Sequence, residues 1–382
     1  MAQTSFPFDM PMNRATVARL RAAPPSRLAR DSAYATALDQ IGFEIGSDHA
    51  RHGLTPPLRH LHDGNPVRQG WGTGRAVFAS RTLRATAPVR AWLALRLLAW
   101  QHGQVFEGVQ LTPHFIAQIE ASHCPVTRQA LTQPSGDAAL VDSDARLLRI
   151  QSQAAYAAGN LAQLGQPAAD AAATLDWRQA LAQADASAPQ ACLSRAEWQR
   201  LGVLKSFVTR LPHHVAAALP LSVLPPNRLR VLNPVQALQV MLTQLFTQPE
   251  YARRMLGLAA LMPCHGSRDA FQLFMHTLLA RRIAAGVAAS LLHTRQAMED
   301  SWADVLVIRR WQRLALRLSE AQCEQLLQRA TRRGLAPEGS RWLSADAATE
   351  GWALASGGRV VVEAVTESAA APCGQTSAQL TM

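Results

Sequence analysis

Four histidines lie close together near the start of the sequence, in the segments DHARHG and RHLHDG. They are His49, His52, His60 and His62, with Asp48 and Asp63 beside them. Imidazole nitrogens and carboxylate oxygens bind transition metals, so a metal site is one interpretation of this cluster. The spacing matches no known zinc pattern and no cysteine is near, which favours packing or solvated histidines. The role of these histidines stays open at this point.

A run of arginines follows the histidines. Residues 64–106 contain no Asp or Glu, and aromatic residues are interleaved with Arg68, Arg75, Arg81, Arg84, Arg90 and Arg96. One interpretation is a packed helix, beginning near Pro88, whose arginines are solvated. The other is a basic surface for a nucleic-acid backbone, because a guanidinium group can donate two parallel hydrogen bonds to a phosphate. Gly70, Gly72 and Gly74 predict a flexible start to this run.

Residues 122–172 predict a small ββα unit. A Cys124-Pro125 turn and a loop lead into the extended segment 147–150, and a turn and an alanine-rich helix follow. In this outline Gly159 and Asn160 lead the helix. Asn160 is expected to cap backbone donors and hold the loop closed, and Gly159 to allow a sharp turn. Tyr156 is expected to pack the loop against the helix.

This segment resembles HNH-type (His-Me finger) endonuclease domains, in particular a phage and bacterial subgroup. Cys124-Pro125 is similar to the subgroup's first turn, and Arg149-Ile150 to part of its Asp-Arg-Ile-Asp strand. Residues 156–161, YAAGNL, are similar to its Gly-Tyr-x-x-Gly-Asn element. The resemblance implies a ββα fold and covers residues 122–172 of the 382. It gives Cys124, Pro125, Tyr156, Gly159 and Asn160 structural roles.

The chain departs from the family where the resemblance places the metal. The family's acid before the strand arginine is Leu148 here, and its next polar position is Gln151. Ala155 replaces a glycine, and Ala169 and Ala172 replace the helix ligand and the following basic residue. Leucine and alanine neither bind Mg²⁺ nor activate water. The resemblance therefore implies a scaffold without a complete metal site.

His123 and Asn160 remain as candidate catalytic residues if the unit is a nuclease. In that alternative the protein is a metal-dependent endonuclease with a divalent cofactor. Otherwise the sequence predicts a protein that is not an enzyme and has no cofactor and no metal site.

The composition is basic, with a formal net charge of +11. Of the 38 lysine and arginine residues only Lys205 is lysine. GC-rich coding explains such a bias, and so does selection of arginine for phosphate contacts. Under the second explanation the partner is DNA or RNA, and Arg149 joins the six arginines of residues 64–106 as a phosphate ligand.

The cysteines and the apolar pattern bear on the compartment. The chain has five cysteines and no CxxC pair, which predicts a reducing compartment without a disulfide framework. No run of about 18 apolar residues predicts a membrane span, and the N-terminus does not resemble a secretory signal. We expect a cytoplasmic protein with no membrane partner.

The pattern predicts a mainly α fold, with a helical C-terminal body and a small ββα-like unit in the N-terminal half. The predicted division is a flexible tail (1–30), an arginine-rich domain (31–180), a Pro-containing connector (181–227), a helical domain (228–335) and a small polar tail (336–382). Asn233-Pro234 and Ser319 mark helix starts, Ser267 or Asp269 opens another helix, and residues 359–363 form one possible strand.

Two functions stay open beside the nuclease. The first is a nucleic-acid-associated protein that binds phosphate backbones through its arginines without cutting. The second is a helical structural or interaction protein that binds a protein partner and owes its arginines to coding bias.

Overall fold

The computed structural model describes residues 27–133, 141–248, 250–286, 290–337 and 342–361, with side chains from residue 32 onward. The predicted mainly α fold is confirmed. The chain divides into two units. One is Leu38–Val361, which contains every site discussed below. The other consists of Met1–Ala37 and Val362–Met382, and its described part is the start of the first helix.

The described residues form fifteen α-helices and one two-stranded sheet. The helices before the sheet are α1 (Arg27–Arg51), α2 (Pro66–Phe78), α3 (Ala87–Gln101) and α4 (Pro113–Gln118). The strands are β1 (Arg146–Arg149) and β2 (Leu161–Leu164). The central helices are α5 (Gln166–Thr174), α6 (Trp177–Asp185), α7 (Arg195–Phe207), α8 (His213–Ala218) and α9 (Pro234–Leu245). The last six are α10 (Tyr251–Ala259), α11 (His265–Ala284), α12 (Leu291–Asp300), α13 (Val305–Ala315), α14 (Glu320–Arg332) and α15 (Ala345–Ala348).

Small residues bring α1 and α2 into close contact. A methyl group on Gly70 would overlap the carbonyl oxygen of Phe43, and one on Gly46 would overlap that of Val67. Gly72 faces open space. The prediction that glycines make this segment flexible is therefore wrong, because residues 66–78 are helical. Gly70 and Gly74 both lie against α1, where a larger side chain would not fit.

The ββα order is present, with a different position for the glycine–asparagine pair. β1 and β2 pair antiparallel from Arg146↔Leu164 to Arg149↔Leu161. Asn160 extends this ladder, because its carbonyl accepts from the Ile150 N–H at 2.9 Å. Asn160 therefore precedes β2, and the helix begins later at Gln166. The prediction that Gly159 and Asn160 lead the helix is wrong.

One hydrophobic core runs from Cys124 to Trp352 and joins the ββα unit to the helical body. Trp198, Trp302 and Trp311 are completely buried in it. Trp198 lies on α7, within the segment 181–227. That segment is not a connector. It contains the end of α6 and the whole of α7 and α8, and most side chains of α7 are buried. Apolar side chains shared between segments make the ββα unit and the body one packed structure.

Local signals place several helix ends. Ser319 caps α14 in a capping box with Gln322, as the sequence predicts. Asn233 precedes α9, but its side chain accepts from the Leu211 N–H instead of capping the helix. α11 begins at His265 after Cys264, two residues before the predicted start at Ser267.

The last described segment is attached to the ββα unit. Trp352 is fully buried and donates its indole N–H to the Ala158 carbonyl at 3.1 Å. Of the predicted strand 359–363, Arg359 forms a single bridge to Gln104, and residues 362–363 lie outside the described residues. The predicted tail 1–30 also lies outside them up to residue 26, and α1 already begins at Arg27.

Candidate nucleic-acid interface

Asn160 closes the loop between the two strands. Its side-chain oxygen accepts from the Gln151 N–H at 2.8 Å. Its amide nitrogen donates to the carbonyls of Gln151 and Ala155, both at 3.1 Å. Asn160 has no solvent exposure, so these three bonds satisfy a buried amide. An oxygen and a nitrogen committed in this way are not free to bind a metal or substrate.

Gly159 allows a remote arginine to cross the loop. Its φ of +85° favours glycine, and a methyl group there would overlap the side chain of Arg230. Arg230 also donates its backbone N–H to the Gly159 carbonyl at 3.0 Å. Arg230 follows α8 in the chain, and no local pattern around residue 159 indicates it. The local sequence explains Gly159 by its turn alone, because the contact with Arg230 comes from a distant segment.

Tyr156 and Arg149 pack against each other. The Arg149 guanidinium lies 4.5 Å from the centre of the Tyr156 ring and donates to the Ala154 carbonyl at 2.7 Å. Burial lowers the pKa of Arg149 and raises the pKa of Tyr156. The Arg149 guanidinium is therefore engaged inside the loop. It does not lie at the surface, where the predicted phosphate contact would require it.

The positions that the resemblance assigns to metal binding are apolar and packed. Leu148 is half-buried, and Ala169 and Ala172 are buried in the core. Lys205 lies beneath them, with its ammonium group donating to the carbonyls of Ala172 at 2.6 Å and Ile150 at 3.1 Å. In the sequence Lys205 stands out only as the sole lysine. Here it joins the end of β1 to the last turn of α5.

His123 stands apart from any acid partner in the described chain. Its Nδ1 lies 3.0 Å from the Ser122 hydroxyl, and its backbone bridges Ala130. Throughout the residues that the structure describes, no group of three or more His, Cys, Asp or Glu side chains is placed to hold a metal ion. The candidate catalytic pair His123 and Asn160 is thus left without the donors that a one-metal nuclease needs.

Cys124 and Pro125 begin a tight turn on the same unit. The Cys124 N–H donates to the Gln129 carbonyl and the Arg128 N–H to the Cys124 carbonyl, both at 2.8 Å. Arg128 takes a left-handed backbone conformation and pairs with Asp300 and the buried Glu299. The turn therefore attaches the ββα unit to α12. Cys124, Cys192, Cys264 and Cys323 are free thiols.

The four histidines bind separate partners. His49 is buried, with Nδ1 2.8 Å from the Ile45 carbonyl, and His60 lies 2.6 Å from the Gln101 amide and packs edge-on to Trp100. His62 contacts Asn65. Burial lowers the pKa values of His49, His52 and His60. His49 and His60 are therefore buried packing residues, whereas His62 is exposed.

The arginines of residues 64–106 fall into two groups. Arg96 is largely buried, pairs with Asp48, and lies 4.7 Å from the centre of the Trp92 ring. The other five are exposed: Arg68, Arg75, Arg81, Arg84 and Arg90. Arg68 and Arg75 are seven residues apart, so they share one face of α2, where Arg68 pairs with the exposed Asp63. Such an exposed pair contributes little and is easily exchanged for another anion.

A basic surface forms where the end of α1 meets the loop before α3. The Leu83 N–H donates to the Arg51 carbonyl at 2.8 Å, which brings Arg51 beside Arg81 and Arg84. Arg90 follows one turn into α3. We call Arg51, Arg81, Arg84 and Arg90 the α1–α3 basic surface. Their guanidinium groups are exposed and form no hydrogen bond or ion pair with the described part of the chain. Arg51 was missed in the sequence because it lies outside the acid-free run.

The fold and surface define a mainly helical protein with a ββα unit and an exposed arginine surface. Compared with known proteins, the chain matches no family model, no curated protein and no solved structure. Over the described ranges, none of the helices combines the length and apolar character needed to cross a bilayer.

Proposed function

We propose that this chain is a cytoplasmic nucleic-acid-binding protein that holds phosphate backbones without cutting them. The observation that carries the proposal is the α1–α3 basic surface, where four exposed arginines have no partner in the described chain. A guanidinium group is more weakly hydrated than an ammonium group, and a phosphate can accept two hydrogen bonds from it. The chain's net charge of +11 acts in the same direction at longer range.

The geometry of the ββα unit supports binding over hydrolysis. Leu148, Ala169 and Ala172 stand at the positions that the HNH resemblance assigns to metal binding and to the following basic residue. Asn160 commits its side chain to its own loop. What remains is a rigid unit that packs on the helical body through Arg128, Arg230 and Lys205.

The salt dependence of binding reports how many phosphates the arginines neutralise. If four arginines each neutralise one phosphate, the logarithm of the binding constant falls against log salt with a slope of about −3.6 for duplex DNA. Removing two of the four reduces the slope to about −1.8. If the arginines reflect coding bias alone, binding depends on net charge, and removing any two exposed arginines changes the slope equally.

The test uses the full chain with labelled duplex DNA, single-stranded DNA and RNA over a salt series. The variant is R81Q/R84Q, and the matched control is R309Q/R313Q, which removes two exposed arginines of α13 that also form no hydrogen bond or ion pair with the described residues. We expect the first variant to halve the slope and the control to leave it unchanged. Equal slopes for both variants would assign binding to net charge alone and overturn the surface.

The same samples, incubated with Mg²⁺ or Mn²⁺ and run on a gel, separate binding from cleavage. Intact polymer is the expected result. Metal-dependent cleavage would overturn the non-cutting proposal, and absence of binding at low salt would leave the protein-partner alternative.

A further inference from the structure

A second charged site lies away from the α1–α3 basic surface. A cavity of about 630 Å³ opens between the loop 225–231 and helices α9 and α14. Its volume is within the range of about 300–1,000 Å³ that is usual for small-molecule sites. Apolar side chains, among them Met241, Leu327 and Trp342, form much of its wall. None of the described residues that line it is Asp or Glu.

Three arginines line this cavity, and their charges are incompletely balanced. Arg228 is exposed and its side chain forms no bond with the described residues. Arg230 is half-buried and bonds neutral groups, the Ala348 carbonyl at 2.6 Å and the Gln110 side-chain oxygen at 2.7 Å. Burial lowers the pKa of Arg230, and the charges of Glu350 and Glu107, which form no bond to it, only partly oppose this effect. Both cations would gain from an anion in the cavity.

Arg295 is the third arginine of the cavity wall, and its charge is paired. Its Nε donates to Glu299 at 3.2 Å, and its Nη2 donates to the Leu224 and Pro225 carbonyls at 2.8 and 3.0 Å. Glu299 also pairs with Arg128 at 3.2 Å, and Arg128 pairs in addition with Asp300 at 2.7 Å, so two carboxylates balance Arg128 and Arg295. The indole N–H of Trp342, on the same wall, is buried without a hydrogen-bond partner in the described chain. The Arg228 guanidinium and the Trp342 indole N–H are therefore the donors of this wall that have no acceptor in the described chain.

We infer that this cavity binds a small organic anion, with its phosphate or carboxylate group at Arg228 and Arg230 and its apolar or aromatic body against Met241 and Trp342. The cavity is large enough for both parts, and neither part alone matches the lining. An inorganic ion would leave the apolar wall uncovered, and a neutral apolar molecule would leave the arginines without an acceptor.

The test is a fluorescence titration of the full chain with 1-anilinonaphthalene-8-sulfonate, an aromatic anion that fluoresces when shielded from water. We expect saturable binding of one equivalent. R228Q should weaken it about tenfold, as expected when one charge-assisted contact is lost. R313Q removes the same charge from exposed α13 and should leave it unchanged. Binding that does not saturate, or that R228Q leaves unaltered, would overturn the site.

Competitors then identify the source of the anion. Displacement by decanoate would assign carboxylates with an aliphatic body, and displacement by adenosine monophosphate would assign phosphate esters with an aromatic body. Inorganic phosphate should not displace the probe at the same concentration. Displacement by neither organic competitor would overturn the inference. R81Q/R84Q should retain probe binding, and R228Q should retain polynucleotide binding. Failure of the cavity proposal can therefore be distinguished from failure of the nucleic-acid proposal.

Discussion

Replacing Lys205 by methionine tests the account of how the ββα unit is joined to the body. Lys205 is the only lysine of the chain and has 5% of its surface exposed. Its ammonium group donates to two backbone carbonyls and has no carboxylate bonded to it. Burial lowers its pKa from 10.5 to about 8. Methionine has a similar length and carries no charge, so K205M removes the titration while retaining most of the packing.

The sign and size of the effect follow from the two pKa values. Between pH 8 and pH 10.5 the unfolded chain retains the lysine proton while the folded chain loses it, so the free energy of unfolding contributed by Lys205 rises with pH. A difference of 2.5 pH units corresponds to about 3 kcal/mol at 1.36 kcal/mol for each unit. Below pH 8 both states are protonated and the contribution is constant.

Urea unfolding followed by tryptophan fluorescence at pH 7, 8, 9 and 10 measures this contribution as the difference between wild type and K205M. The difference is needed because Cys323 titrates in the opposite sense. Burial raises the pKa of Cys323 from 9.0 to about 12, so its contribution to stability falls above pH 9. We expect the stability of wild type relative to K205M to rise by about 2.5 kcal/mol from pH 7 to pH 10, because the series ends just below the unfolded pKa. A difference that stays flat with pH would refute the buried-ammonium reasoning.

Three further predictions concern helix packing, the loop and the histidines. G70A should destabilise the fold by about 3 kcal/mol or more, because the added methyl group overlaps the Phe43 carbonyl. G72A, where the methyl group would face open space, should stabilise the fold by up to about 1 kcal/mol. Thermal unfolding of both variants measures this, and equal changes in melting temperature would contradict it. N160A should cost about 2 to 3 kcal/mol, since it leaves the Gln151 N–H and the Ala155 carbonyl unpaired and leaves the Gln151 carbonyl with only the Ala154 N–H. A loss below about 1 kcal/mol in urea unfolding would show that water replaces these bonds. Burial lowers the pKa values of His49 and His60 below 6.5, so the free energy of unfolding should fall as the pH drops from 6.5 through those lower values. H49Q/H60Q should reduce this loss of stability in acid. An unchanged pH dependence in urea unfolding would exclude these histidines as its cause.

Local signals in this chain were readable because they depend on neighbours in sequence. The capping box at Ser319 and the helix after Asn233-Pro234 each involve residues within one turn, and both helices are present. The ββα order was also readable, since strand and helix periodicities differ. The glycines of α2 were misread because a run of glycine predicts flexibility unless the opposing helix is known.

The basic character, the sole lysine and the mainly α class are properties of the sequence by itself, because they follow from composition and periodicity. Which arginines face solvent was decided only by the tertiary structure. Arg96 and Arg149 look like their neighbours in sequence, yet Asp48, Tyr156 and the Ala154 carbonyl engage them within the fold. Partners of this kind come from other segments, and a charge pattern along one segment cannot specify the distance between two side chains. The contact of Arg230 with Gly159 and the bonds of Lys205 to Ile150 and Ala172 likewise join distant segments, so the sequence alone does not indicate them.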